Sequence, residues 1–326
     1  MVIDTELGSF EWVPGWGNTP SELEGCEVPG VAVGPSDWVF VLSRSSLPVV
    51  VLDRSGAFIT AFGAGDFARP HGVHAAPDGT VWCADDEGQR LLHYTARGEL
   101  LEKIQGESRI AETGYIVGDV HSVRRSAGPF CYPTGIESGT ARDIWVTDGY
   151  GNARVHHFMT NGELLASFGN PGRGPLEFVI PHGVLRLPSG QLLVCDRENE
   201  RAQIIDPAGR MVGAWTGLHF PNNIATADHS VYYVAELGNL VQGVPAETRI
   251  VRDAPYARVT ARDSTGKLIA EILPAPGAEP DIFFAPHGIA VDSVGDIYVG
   301  QVRASYGRGL DTSGTPCFGK LVRRSR

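Results

Sequence analysis

Short apolar runs alternate with turns rich in Gly, Asp and Pro along the whole chain. In one copy of this pattern, Gly72 leads through a Pro-Asp-Gly turn to apolar runs at residues 81–85 and 91–94. Runs of this length between such turns are typical of β-strands. A parallel doubly wound sheet would need long amphipathic helical periods, which the sequence lacks. The pattern therefore predicts an all-β fold.

Six copies of the pattern follow one another, and they begin near Val31, Gly72, Pro133, Pro181, Pro221 and Pro286. One unit of three or four short strands cannot bury its own faces, so neighbouring units must stack and the ring must close. Four-stranded sheets arranged radially form a β-propeller, here with six blades in a single domain over residues 1–326. The last copy lacks a strand, and we expect residues 10–14 near the N-terminus to supply it and close the ring.

A Pro-His-Gly triplet occurs three times, with its histidine at His71, His182 and His287. These residues fall in copies 2, 4 and 6, at the start of the strand nearest the axis, so they should lie about 120° apart around it. Three converging imidazoles with open positions are the arrangement of catalytic zinc. The spacing therefore predicts a Zn²⁺ site. The alternative is that each histidine is a hydrogen-bonded turn residue.

Candidate partners for such an ion stand at the ends of the second strands, close to the same channel: Arg44, Tyr150 and Arg197. Arginines beside a metal cation would repel it unless the substrate brings negative charge. The planar guanidinium group matches the geometry of a carboxylate. We therefore predict a small-molecule carboxylate substrate, with the tyrosine as a proton acceptor. Taken singly, the arginines would be surface ion pairs and the tyrosine a packed turn aromatic. Three aspartates at matched positions are expected to lock turns: Asp85, Asp148 and Asp196.

Composition narrows the choice of partners. The net charge is −11 and the basic residues are scattered, which argues against nucleic-acid binding. No run approaches the roughly 20 apolar residues of a membrane span, so no membrane association is expected. The five cysteines show no CxxC spacing, which indicates a reducing compartment, and we expect a cytoplasmic protein.

The repeats resemble those of NHL-repeat propellers, and two segments resemble peptidyl-α-hydroxyglycine α-amidating lyases. The likeness is carried by the strings Asp-Gly-Tyr at residues 148–150 and Asp-Arg-Glu-Asn at residues 196–199, together with the three Pro-His pairs. It extends over about residues 31–301. The resemblance implies a zinc-dependent carbon–nitrogen lyase on a six-bladed propeller. It also implies the roles of six residues: zinc ligands His71, His182 and His287, catalytic Tyr150, and active-site arginines Arg44 and Arg197.

The implied reaction cleaves a carbinolamide into an amide and glyoxylate. Three residues depart from the family pattern, one of which, Ala285, replaces a methionine that lines the pocket. Gly151 replaces a cysteine that would pair with Cys131, and Gly288 replaces an aspartate that binds calcium, which makes a structural Ca²⁺ doubtful. Two other functions stay open. One is a metal-dependent propeller hydrolase of the lactonase or esterase kind, with Asn222 and Glu236 as possible ligands. The other is a non-catalytic NHL-repeat binding scaffold.

Overall fold

The computed structural model describes residues 1–140, 142–238, 257–273, 283–306 and 316–324. These residues form six antiparallel sheets around one axis, which confirms the predicted six-bladed β-propeller. Each blade is a meander whose first strand lies at the axis and whose last strand lies at the rim.

The strands of the first five blades follow the apolar runs of the sequence. Blade 1 comprises Gly30–Val33, Val39–Leu42, Val49–Leu52 and Phe58–Phe62. Blade 2 comprises Pro70–Ala75, Thr80–Asp85, Arg90–Thr95 and Leu100–Gln105. Blade 3 comprises Pro133–Ser138, Asp143–Asp148, Arg154–Met159 and Leu164–Phe168. Blade 4 comprises Pro181–Arg186, Leu192–Asp196, Arg201–Ile205 and Met211–Trp215. Blade 5 comprises Pro221–Ala225, Tyr232–Glu236, Arg258–Arg262 and Leu268–Ile272.

Blade 6 combines strands from both ends of the chain: Pro286–Val291, Ile297–Gln301, Phe318–Arg323, Gly8–Pro14 and Val2–Thr5. The N-terminal strand pairs antiparallel with the C-terminal strand, with Trp12 opposite Leu321. The prediction that an N-terminal strand closes the ring is therefore confirmed. The blade gains a further rim strand, Val2–Thr5, because the chain before Gly8 folds back as a hairpin.

The ring is continuous at its axis. The first strand of each blade contacts the first strands of both neighbours, and that of blade 6 contacts that of blade 1. The close contact between these inner strands explains why the Pro-His-Gly triplet ends in glycine. A Cβ on Gly72 would lie 2.3 Å from the Thr134 carbonyl oxygen, and one on Gly288 would lie 2.7 Å from the Gly30 Cα. Only glycine lets the inner strands meet so closely.

The hydrophobic core lies between neighbouring blades rather than at the axis. Between blades 1 and 2, for example, Phe40 and Leu42 pack with Cys83 and Tyr94. Each such buried side chain contributes roughly 1.5–3 kcal/mol relative to exposure. The apolar faces are satisfied between the blades, so the axis is left to polar residues.

The remaining elements are short: helices Ile110–Thr113 and Arg303–Tyr306, 3₁₀ turns Ser21–Leu23 and Arg197–Asn199, and the two-residue strands Asn170–Pro171 and Glu177–Phe178. None of the helices in the described ranges is long and apolar enough to cross a membrane. All five cysteines, each within those ranges, are free.

Candidate metal centre

The predicted histidines each sit at a break in strand pairing. In blade 2, Pro70 pairs with Asp85 and Gly72 pairs with Ala84, so that His71 is left out of the ladder. The same irregularity occurs at the equivalent place in blades 3 to 6. A bulge bends the strand and re-aims a side chain. In blades 2, 4 and 6 the break therefore turns the histidine toward the axis.

The three histidines meet there. The ring centroid of His71 lies 4.9 Å from those of His182 and His287, which are 4.6 Å from each other. Their ligand atoms all lie within 4.8 Å of one another, and the residues are 1%, 3% and 3% exposed. Among the described residues, this is the group of side chains with the composition and geometry to hold a metal ion.

One nitrogen of each imidazole is fixed by the next blade. The Nδ1–O distances are 2.9 Å from His71 to Thr134, 2.8 Å from His182 to Asn222 and 2.6 Å from His287 to Pro29. Each acceptor is a backbone carbonyl, which cannot donate, so Nδ1 carries the proton in every ring. Each Nε2 therefore keeps its lone pair and faces the centre. This is the tautomer and the supporting contact that metal-binding histidines use.

The centre holds its imidazoles in the neutral form. Burial lowers the pKa of His71 and of His182 well below the ordinary value, and the neighbouring rings lower it further. Burial lowers the pKa of His287 to about 3; its bond to Pro29 opposes the shift, and nearby arginines add to it. Neutral imidazole is the form that binds a metal.

Tyr150 reaches the same point from blade 3. Its phenolic oxygen lies 3.1 Å from His71 Nε2 and 3.2 Å from His182 Nε2. Arg197 stands beside it, with Nη1 3.4 Å from that oxygen and its guanidinium 5.4 Å from the ring centroid. Tyr150 is thus brought into contact with two of the histidines, and Arg197 into contact with Tyr150.

Arg44 borders the centre from blade 1. Its Nη1 forms an ion pair with Glu27 and lies 2.6 Å from the Ser305 hydroxyl. Its charge contributes to the lowered pKa values of His71 and His287. The side chains of Arg44 and Glu27 are only 16% and 10% exposed, so this pair is not on the open surface.

A third arginine, Arg69, was not among the residues predicted from the sequence. It donates from Nε to Asp86 Oδ1 at 2.8 Å and from Nη2 to Asp86 Oδ2 at 2.6 Å. A signal was available, because Arg69 directly precedes the first Pro-His-Gly triplet. Ile180 and Ala285 precede the other two.

The three matched aspartates lock turns, as expected. Asp85 accepts from the backbone of Ala68 and Arg69 at 2.9 and 2.7 Å, which anchors the segment just before His71. Asp148 and Asp196 bind the equivalent segments of blades 3 and 4. These fully buried carboxylates set where each inner strand begins.

Neither Glu236 nor Gly288 contributes a ligand atom to the histidine group. The Glu236 carboxylate accepts from Arg258 and Thr260 within blade 5. Gly288 offers no side-chain oxygen and packs on Gly30. Of the long connections, residues 106–130 are described, whereas residues 239–256 and 307–315 lie outside the described ranges.

The fold and the buried polar axis define a six-bladed β-propeller, and comparison with known proteins identifies the proteins to which it is similar. The NHL repeat model matches residues 130–158, which include the first two strands of blade 3 and most of the third. A probable peptidyl-alpha-hydroxyglycine alpha-amidating lyase from Caenorhabditis elegans is 28% identical over 62% of this chain and 55% of its own length. Peptidyl-alpha-hydroxyglycine alpha-amidating lyase 1 from Drosophila melanogaster is 31% identical over 49% of this chain and 29% of its own length.

These matches confirm the resemblance to NHL-repeat propellers and to amidating lyases. The chain aligns with about half or less of the length of these relatives. Two solved structures share the fold. A streptogramin B lyase has a TM-score of 0.59 at 14% identity, over 97% of this chain and 98% of its own. A putative gluconolactonase has a TM-score of 0.60 at 13% identity, over 97% and 99%.

Proposed function

We propose that the protein is a zinc-dependent lyase that cleaves the C–N bond of an α-hydroxyglycine-type carbinolamide, yielding an amide and glyoxylate. One observation carries the proposal: three neutral, buried imidazoles direct Nε2 at the point reached by the Tyr150 hydroxyl. The similarity to lyases of that name supports the substrate class.

The donor set fits zinc. Three imidazole nitrogens with an open position are a known catalytic zinc arrangement, and the carbonyl contacts at Nδ1 fix the required tautomer. The ligands would be His71, His182 and His287. A zinc ion there would supply Lewis acidity toward a substrate hydroxyl oxygen.

The protein's own side chains would perform the proton transfer and hold the substrate. Tyr150 takes the proton of the substrate hydroxyl. The O–H electron pair then forms the carbonyl of glyoxylate, and the C–N bonding pair leaves with the amide nitrogen, which takes up a proton. Arg197, in contact with Tyr150, holds the carboxylate next to the reacting carbon. Arg44 adds positive charge on the other side.

The reaction can be tested with α-hydroxyhippurate. We expect purified protein to contain about one zinc per chain and to release glyoxylate and benzamide in equal amounts. Chelation should abolish glyoxylate release, and added zinc should restore it. Failure of the zinc-loaded protein to release glyoxylate would reject the proposal.

The two other functions differ in what they require. A hydrolase of the lactonase kind would take Asn222 and Glu236 as possible ligands, and Arg258 and Thr260 already engage the Glu236 carboxylate. A binding scaffold would tolerate alanine at all three histidines and would bind no zinc. Metal content and hydrolysis of a lactone substrate therefore separate the three functions.

A further inference from the structure

A pocket of about 300 Å³ opens beside the histidine centre, between blades 1 and 2. Pro48 and Phe67 contribute apolar surface, whereas Arg44 and Arg69 contribute two guanidinium groups. Its wall includes Pro70, the residue before His71. The size lies at the lower end of the range for small-molecule sites, and apolar walls with a few charged groups are typical of them.

Arg69 is held so that part of its guanidinium stays available. Nε and Nη2 both bind the fully buried Asp86 carboxylate, which fixes the plane of the group. No described residue accepts a hydrogen bond from Nη1, and the side chain is 33% exposed. A guanidinium has five N–H donors, so one edge can bind the buried aspartate while another binds a second carboxylate.

The charge of Arg69 is secure. Burial lowers the pKa of this group, but the hydrogen bonds and charge of Asp86 outweigh that effect and hold the pKa above its ordinary value. The reaction needs one positive group to bind the carboxylate next to the reacting carbon. Arg197, which contacts Tyr150 on the other side of the centre, provides that group. Arg69 is therefore a cationic group beyond those that the reaction needs.

We propose that this pocket receives the acyl group of the substrate, that the acyl group ends in a second carboxylate, and that Arg69 binds it. The proposal rests on the lyase function and adds the substrate class: an N-acyl-α-hydroxyglycine in which a short methylene chain carries the terminal acid. The apolar surface of Pro48 and Phe67 contacts the methylene groups. Arg69 is a specificity residue in this role.

A matched substrate pair tests the assignment. N-succinyl-α-hydroxyglycine carries the terminal carboxylate, and N-succinamoyl-α-hydroxyglycine replaces it with an amide of the same shape. Glyoxylate release gives kcat/KM for each compound. We expect the carboxylate form to be favoured by about 10- to 100-fold, the usual range for a hydrogen bond to a charged group. Equal values would overturn the proposal.

Variants distinguish a specific role of Arg69 from a general effect of positive surface charge. Arg69→Gln alone would leave Asp86 buried without its partner, so the double variant Arg69→Gln/Asp86→Asn keeps the pair neutral. In both variants, the ratio of kcat/KM for the carboxylate substrate to kcat/KM for the amide substrate should fall to near one. Arg173, an exposed arginine beside another pocket over blades 3 and 4, is the matched control, and Arg173→Gln should keep the preference. A preference retained in the double variant would contradict the role of Arg69.

Binding of unreactive analogues keeps this test independent of turnover. N-succinylglycine and N-succinamoylglycine lack the hydroxyl and cannot be cleaved, and calorimetry gives their affinities for the metal-free protein. We expect at least about tenfold tighter binding of the dicarboxylate, lost in the double variant. Absence of glyoxylate from every substrate would reject the lyase function. Equal affinities of the two analogues would reject the subsite.

Discussion

The second residue of the inner strand has opposite roles in alternate blades. In blades 2, 4 and 6 this residue is a histidine whose side chain points to the axis. In blades 3 and 5 it is Thr134 or Asn222, and in blade 1 the corresponding residue is Pro29, directly before the strand Gly30–Val33. Each of these three backbone carbonyls accepts from the histidine of the preceding blade. The even blades therefore provide the candidate ligands, and the odd blades orient them.

This difference shows how a repeated backbone can build a site of lower symmetry. All six positions occupy the same place in the ring, but substitution of every second side chain produces three donors and three acceptors. The side chains of the odd blades also support the ring. Thr134 Oγ1 donates to the Pro181 carbonyl at 2.8 Å, and Asn222 Nδ2 donates to the Pro286 carbonyl at 2.9 Å. Both carbonyls directly precede a candidate ligand.

Removal of an even-blade imidazole should have the largest effect. We expect His182→Ala to reduce bound zinc from about one per chain to near zero and to reduce glyoxylate release to background, because two imidazoles bind the ion far less tightly than three. Elemental analysis and the glyoxylate assay provide the measurement. His121, an exposed histidine outside the cluster, is the control, and His121→Ala should keep its zinc. Full zinc content in the His182 variant would contradict the assignment of the ligands to the even blades.

Tyr150→Phe should separate chemistry from metal binding. Loss of a positioned proton acceptor lowers kcat by about 10²- to 10⁴-fold. The three imidazoles remain, so the zinc content should stay near one per chain. Steady-state kinetics and elemental analysis of the same preparation test both statements. An active variant would show that another group takes the proton.

The even blades should also make the metal-free protein sensitive to acid. The folded pKa of His287 is about 3, so below about pH 6.5 the unfolded chain binds a proton that the folded protein does not. The free energy of unfolding of the metal-free protein therefore decreases as the pH is lowered, by about 1.4 kcal/mol per pH unit for each such histidine. Urea unfolding between pH 7 and 5 measures the slope. His287→Asn should reduce that slope, and an unchanged slope would show that His287 titrates normally.

An odd-blade substitution should have the smallest effect. Thr134→Val removes the hydroxyl that binds the Pro181 carbonyl, which costs about 1–2 kcal/mol of unfolding free energy. The backbone acceptor for His71 remains, so zinc content should not change. Thr60→Val on the rim strand Phe58–Phe62 is a control with little expected effect. Loss of zinc from the Thr134 variant would mean that the odd blades do more than orient the ligands.

Much of this arrangement was readable from the sequence because it repeats. The six copies, the N-terminal closing strand and the convergence of the three histidines follow from spacing alone. The bulge that turns His71 to the axis was not readable, because it depends on pairing of Pro70 and Gly72 with a neighbouring strand. The carbonyl partners at Nδ1 were missed as well, since they lie on the following blade in each case.

Arg69 was missed for a different reason. Arginines are common on surfaces, and only the folded structure shows that this one is anchored by a buried aspartate beside the centre. Arg44 was found in the sequence, but its partners Glu27 and Ser305 were not. Glu27 lies 17 residues before Arg44, whereas Ser305 comes from a distant segment that ring closure brings to blade 1.

The way blade 6 is assembled determines when the centre can form. Its inner strand carries His287, but the blade is complete only when Phe318–Arg323 has paired with Gly8–Pro14, a strand that precedes blade 1 in the chain. Until those two strands pair, the ring is open and no complete blade holds the third imidazole. Closure of the ring is therefore a condition for the three candidate ligands to meet.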